Sequence, residues 1–158
     1  MSLGFSRDII LRNNADIPTV LKIPKFLFKE IIGLIKMRYP VEACGVLLGK
    51  VKGSTAEVNR VKELMNLLGS STGFWFDVKE WMKVILEGKE LGLDYIGIFH
   101  SHNRNEPKPS PQDMERMVEC PGEIWLILSF KPRGAYKVAA WSIAGYDLAT
   151  RSIRVKVV

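Results

Sequence analysis

Both histidines of this 158-residue chain lie in one tripeptide, His100-Ser101-His102. The apolar run Tyr95 to Phe99 leads directly into them and reads as a buried strand delivering its C-terminal end to something polar. Side chains alternate along a strand, so residues two apart project from the same side and both imidazoles can converge on one ion. Imidazole nitrogen is a good zinc ligand near neutral pH, and a catalytic zinc takes three protein ligands and keeps one position open. The third ligand should be a carboxylate or thiolate nearby. After His102 comes an irregular segment, Asn103 to Pro109, whose two prolines hold it extended, and then Ser110-Pro111-Gln112-Asp113. With Ser110 as an N-cap and Pro111 as the first helical residue, Asp113 falls in the first turn, able to point back at the strand end. Serine followed three residues later by an acid is also an ordinary capping pattern. The histidine pair just upstream moves the balance toward a ligand.

Hydrolysis of an amide at such a centre needs a group that takes a proton from the attacking water and returns it to the leaving amine. By position the candidates are Glu42, Glu80 and Glu106. Glu106 lies in the loop between the ligands and reads as solvated, and Glu80 reads as part of a helix cap. Glu42 stands between a helix and an apolar strand, a place from which it could enter a cleft, although position alone suits a surface glutamate equally well.

Apolar residues from Leu27 to Ile35 recur at helical spacing after Pro24 and predict a helix ending near Tyr39-Pro40. Ala43 to Val51, short, apolar and interrupted by Gly45 and Gly49, predicts a buried strand, and Lys52-Gly53-Ser54 turns into a second one running to about Leu64. Asp77 followed by Glu80 suggests a capping box for a helix with Trp81, Val84, Ile85 and Leu91 near one face, closed by Gly92. Ser110 to Val118 predicts a further helix. Ile124 to Phe130, Tyr136 to Ile143 and Tyr146 to Val158 predict three strands in an antiparallel meander, with turns at Lys131 to Gly134 and Ala144-Gly145. Residues 1 to 22 carry mixed signals, with Asn13-Asn14, Asp16 and Pro18 reading as a turn between two extended pieces. The expected class is α+β: a curved, mixed, largely antiparallel sheet flanked by helices in one domain spanning residues 1–158.

Glu42-Ala-Cys-Gly-Val-Leu-Leu-Gly49, followed by His100-Ser-His102, seven intervening residues, Ser110, two residues and Asp113, resembles the JAMM motif of the MPN (JAB) metalloprotease family. The resemblance runs from about Pro24 to Phe130, and Asn66 and Phe74-Trp-Phe76-Asp77 are similar to the family's middle section, near the substrate groove in relatives. It implies a cytidine-deaminase-like fold, one zinc per chain held by His100, His102 and Asp113, Glu42 as the proton-shuttling base, and Ser110 donating a hydrogen bond to the developing oxyanion. The implied activity is hydrolysis of peptide or isopeptide bonds after the C-terminal glycines of ubiquitin-like or sulfur-carrier proteins. The family usually has proline directly after the second histidine; here Asn103 stands there, a change that touches loop rigidity rather than metal binding. Two other functions share parts of the pattern: a non-catalytic MPN scaffold, which typically loses the ligands kept here, and a RadC-type nucleic-acid-associated protein.

The net charge of +6 is modest and spread along the chain, suiting an acidic protein partner or a solvated surface and giving no aromatic-interleaved nucleic-acid face. No apolar run approaches the ~20 residues of a membrane-spanning helix. The N-terminus, with Arg7 and Asp8 in its first apolar stretch, does not read as a secretory signal, so a cytoplasmic setting is expected. Two cysteines, Cys44 and Cys120, are too few for a disulfide framework and read as small buried apolar residues.

Overall fold

The computed structural model describes residues 17–144 and 149–158. Its elements run β1 (Val20–Ile23), α1 (Lys25–Arg38), β2 (Cys44–Lys52), β3 (Thr55–Leu64), α2 (Val78–Glu90), β4 (Asp94–His102), α3 (Pro111–Met117), β5 (Ile124–Ser129), β6 (Lys137–Ala144) and β7 (Ala149–Val157). The strands pair in the order β1-β3-β2-β4-β5-β6-β7, and β7 returns to β1, so the curved, mixed sheet expected from sequence closes into a barrel. Closure depends on the short strand β1, which pairs in parallel with both β3 and β7. Four residues shared between two neighbours abolish both sheet edges. The second extended piece expected within residues 1–22 coincides with β1, but nothing local in residues 20–23 names partners some 35 and 130 positions away, as in Val20 beside Thr55 and Arg154. The pairings are mixed, and β2-β3, β2-β4, β5-β6 and β6-β7 are antiparallel.

Period-two alternation divides the core into two sides. Leu47, Phe99, Leu126 and Leu128 pack with Leu27, Phe28, Ile31 and Ile35 of α1. Val46, Leu48, Ile98 and Trp125 point the other way, toward Val84 and Ile85 of α2 and Met117 of α3. Three glycines permit the close strand contacts: a Cβ on Gly97 would lie 1.8 Å from the Ile124 carbonyl oxygen, one on Gly49 would lie 1.9 Å from the Glu57 carbonyl oxygen, and one on Gly45 would lie 2.4 Å from both the Lys62 carbonyl oxygen and the Phe99 ring. Gly53 turns β2 into β3 with a φ of 59°, a conformation that suits a residue without Cβ.

Local expectations differ from the structure in a few places. Pro24, which the sequence would admit in the first helical turn, precedes α1 as its N-cap residue. Asp77 caps α2 by accepting from the Lys79 N–H without the reciprocal Glu80 bond, and Leu91, just beyond the helix, is 58% exposed. β4 runs on through His102 because β5 continues beside it in parallel register to the pair His102 and Ser129. Cys44 is buried and Cys120 half-buried, both as free thiols that burial pushes up to about 12, which makes them poor nucleophiles at neutral pH. The turn at Asn13-Asn14 with Asp16, and the residues from Gly145 to Leu148, lie outside the described residues. Among the described residues no helix is long and apolar enough to cross a membrane.

Candidate metal centre

The last three residues of β4 alternate as a strand must. His100 and His102 face the α2 and α3 side with Ile98, and Ser101 faces the other way. Ser110 caps α3: its Oγ accepts from the Asp113 N–H at 3.1 Å while the Ser110 N–H donates to Asp113 Oδ2 at 2.9 Å. That reciprocal cap fixes the Asp113 side chain and aims it at β4, so the capping geometry leaves the carboxylate placed where a metal ligand could stand. Asp113 Oδ2 lies 3.2 Å from His100 Nε2 and 3.1 Å from His102 Nε2, and the two nitrogens are 2.9 Å apart. All three side chains are buried.

These distances test the fit to a metal. Zinc bonds of ~2.0–2.1 Å in tetrahedral geometry set neighbouring donors about 3.4 Å apart. The three donor atoms stand within about half an ångström of that triangle. Burial lowers the His100 imidazole below its ordinary pKa, against the pull of Asp113, which favours the neutral ring. Burial works against the Asp113 carboxylate too. His100 and the hydrogen bonds from both imidazoles and the Ser110 N–H outweigh it, holding Asp113 well below the usual carboxylate range. A neutral imidazole and an ionised carboxylate are the protonation states a divalent cation requires.

Metal-bound imidazoles ordinarily anchor the second ring nitrogen on a hydrogen-bond acceptor. Nδ1 of His100 and of His102 have no such protein partner among the described residues. The His100 ring is instead located by aromatic packing, stacked on Phe74 with centroids 4.3 Å apart and met edge-on by Trp125 at 5.4 Å. Trp125 is itself tethered, its Nε1 donating to buried Glu123 Oε1 at 2.7 Å while the Tyr95 hydroxyl donates to Oε2 at 2.5 Å. Burial raises the Glu123 carboxyl to about 7 against those two hydrogen bonds.

Glu42 reaches the centre through the pairing of β2 with β4. Cys44 lies beside His100, and the Ser101 N–H donates to the Ala43 carbonyl at 3.0 Å, so the same antiparallel register brings Glu42 alongside His102. The Ser101 hydroxyl accepts the Ala43 N–H at 2.9 Å. The Glu42 N–H donates to the Ser70 carbonyl at 2.9 Å, and Asn66 Nδ2 donates to the Glu42 carbonyl at 2.9 Å. Glu42 as a residue is 2% exposed, and Oε2 has no hydrogen-bond partner among the described residues. Burial first, and then the negative charge of Asp113, raises Glu42 to about 8, with Arg104 opposing. Of the alternatives weighed from sequence, Glu106 pairs with Lys137 at the surface, 3.6 Å away, and Glu80 stands in the first turn of α2.

A cavity of about 350 Å³ opens beside Glu42, lined by Met37, Arg38, Leu64, Met65 and Asn66. A second, of about 720 Å³, runs past Ser110 between Pro40, Ser71, Asn103 and Arg104. Glu42 and Ser110 therefore border a cleft each. Sequence reasoning missed Phe74 and Trp125 as supports of His100, and Ser101 as the brace of the Glu42 segment. The alternation that put both imidazoles on one side of β4 also put Ser101 on the other, and that was the available signal.

A barrel-closed α/β domain with a buried two-histidine, one-aspartate donor set and an adjacent glutamate is the class that fold and site define. Residues 24–144 match the family described as prokaryotic homologs of the JAB domain, and the chain belongs to it. It is 36% identical over 126 residues to a desampylase of Pyrococcus furiosus, covering 80% of this chain and 83% of that protein. It is 30% identical over 97 residues to a probable TtuB-protein conjugate cleaving protease of Thermus thermophilus, covering 61% of this chain and 62% of that protein. The solution structure of protein DSY2949 from Desulfitobacterium hafniense superposes with a TM-score of 0.77 at 27% identity, covering 87% of this chain and 92% of that one.

Proposed function

We propose that this protein is a zinc-dependent isopeptidase that hydrolyses the bond following the C-terminal glycines of a ubiquitin-like or sulfur-carrier protein. The observation that carries this reading is the convergence of His100 Nε2, His102 Nε2 and Asp113 Oδ2 within 3.2 Å of one another, with buried Glu42, whose Oε2 has no hydrogen-bond partner among the described residues, next in the β2-β4 register. Two relatives whose names describe desampylation and cleavage of a protein conjugate support the choice of substrate.

One zinc ion per chain, held by His100, His102 and Asp113, would supply Lewis acidity toward the scissile carbonyl and acidify a water molecule. Glu42 takes the proton from that water as its oxygen adds to the carbonyl carbon. It then delivers the proton to the departing lysine or α-amine nitrogen as the C–N bond breaks. Burial raises the affinity of the Glu42 carboxylate for a proton, which makes it a stronger base toward the water than a solvated carboxylate. The Ser110 oxygen already accepts the Asp113 N–H, which leaves its own hydrogen to donate to the carbonyl oxygen as negative charge develops there. Two free thiols agree with a reducing, cytoplasmic setting, and residues 1–158 act on this reading as a single domain.

The test is cleavage of a Gly-Gly-linked ubiquitin-like conjugate by the purified protein, with metal analysis of the same preparation. Expected are one zinc per chain, activity abolished by chelation, and a fall of about 10² to 10⁴ in kcat for Glu42→Gln with zinc retained. Activity that survives Glu42→Gln, or a chelator-resistant activity, contradicts the proposal. A protein that holds a partner without zinc and without cleavage would be a scaffold.

A further inference from the structure

Two segments of loop meet at the base-bearing turn, and a side chain outside both fastens them. The Glu42 peptide is held on both sides by the 65–77 segment: its N–H donates to Ser70 O at 2.9 Å and its carbonyl accepts from Asn66 Nδ2 at 2.9 Å. Asn66 also organises that segment, donating to Gly73 O at 3.0 Å and accepting from Leu68 N at 3.1 Å and Trp75 N at 3.3 Å. None of these bonds reaches the metal-binding strand. Asn103, the residue that follows His102, supplies the link. Its Nδ2 donates to Pro40 O at 2.7 Å and to Ser71 O at 3.0 Å, one carbonyl on each side of the Glu42 turn. An amide nitrogen has two hydrogens, so both bonds form at once and the carboxamide orientation is determined. Ser101 braces the other end of the same turn through the Ala43 N–H. Residues 101 and 103 therefore grip the Glu42 segment from both flanks, while the intervening His102 faces the donor cluster.

We infer that Asn103 is a positioning residue that sets the place of the Glu42 carboxyl relative to the two imidazoles. The inference rests on the proposal that Glu42 is the base. Where the motif usually carries proline, the residue has no side-chain donor, so this chain obtains by hydrogen bonds a fastening that a proline could not make. Without the fastening, the turn at 40–43 keeps its hold on β4 only at Ala43, through Ser101, and loses the bridge to the 70–73 segment, so the Glu42–Ser70 bond opens more often and the Glu42 side chain can shift against β4. A displacement approaching an ångström between base and reacting water is enough to cost about 10²-fold in rate.

The experiment uses the zinc-loaded full chain with Asn103→Ala and, as a variant of the same shape that lacks the donors, Asn103→Asp. Asn103→Gln keeps both donors on a longer arm. Three quantities are read: zinc content, kcat and KM on the Gly-Gly-linked conjugate, and hydrogen exchange at the Glu42 amide. In Asn103→Ala the expected outcome is unchanged zinc, kcat lower by about 10-fold or more with KM within threefold, and faster exchange at the Glu42 amide. Asn103→Gln recovers part of both kcat and protection. Should Asn103→Ala fail to fold, Asn103→Asp carries the same expectations. Unchanged exchange together with unchanged kcat overturns the inference, and so does a loss of zinc in step with kcat, which would place the role of Asn103 at the ligands. The exchange measurement needs no turnover. If Glu42→Gln keeps full activity while Asn103→Ala still loosens the Glu42 amide, the fastening stands and the assignment of the base falls.

Discussion

Replacing Ser101 with alanine isolates the brace between β4 and the turn that carries Glu42, the proposed base. The hydroxyl is 2% exposed and accepts one bond, from the Ala43 N–H at 2.9 Å. Removing it strands a buried amide donor, which costs about 1 to 3 kcal/mol. Unfolding entropy of about 2.1 cal/mol/K per residue comes to roughly 330 cal/mol/K for 158 residues. The expected fall in Tm is therefore about 3 to 9 °C. Ala43 follows Glu42 directly, so relaxation of its peptide moves the base, and kcat drops about 10-fold. Zinc content stays at one per chain because the two imidazoles project from the opposite side of β4. Thermal melts, zinc analysis and conjugate cleavage on the same preparation check all three. A variant that melts within 1 °C of the wild type and cleaves at the same rate would refute the reasoning, since the hydroxyl would then carry no load at either end.

Asp113→Asn keeps the shape of the α3 cap but removes the charge that both imidazoles face, and zinc binding is expected to weaken by at least 100-fold, read by competition with a chromogenic chelator. For Glu123 the folded pKa of about 7 lies above the ordinary 4.5, so its contribution to stability is fully present below pH 4.5 and is lost as pH rises to 7. Glu123→Gln keeps an acceptor for the Trp125 indole and removes that loss. The stability of wild type relative to the variant should fall by on the order of 3 kcal/mol between pH 4.5 and 7.5 in urea unfolding, and a pH-independent difference would contradict the burial argument.

The strand and helix pattern around the site was legible because each part of it is local. An apolar run ending at His100, alternation two residues apart and a Ser-Pro-x-Asp helix start are all consequences of neighbouring residues, and they brought forward His100, His102, Ser110 and Asp113. Glu42 was one of three positions open to the base until the likeness to a known motif singled it out. Its place beside His102 is a long-range fact, arising from the β2-β4 register and from bonds to Ser70 and Asn66. The supports of the His100 ring show the same divide: Phe74 and Trp125 are ordinary core aromatics in the sequence, and only folding stacks one on the imidazole and sets the other against its edge.

Composition, periodicity and turn chemistry determined which segments are strands and helices and which side chains could share one face, because those properties depend on residues a few positions apart. The tertiary structure decided the rest. It closed the barrel through a four-residue strand held by two distant neighbours, brought a carboxyl from α3 to the end of β4, and placed a buried glutamate beside them. Pairing across tens of residues depends on how whole surfaces pack and on which buried amides find partners, and neither quantity is written in any short window of the chain.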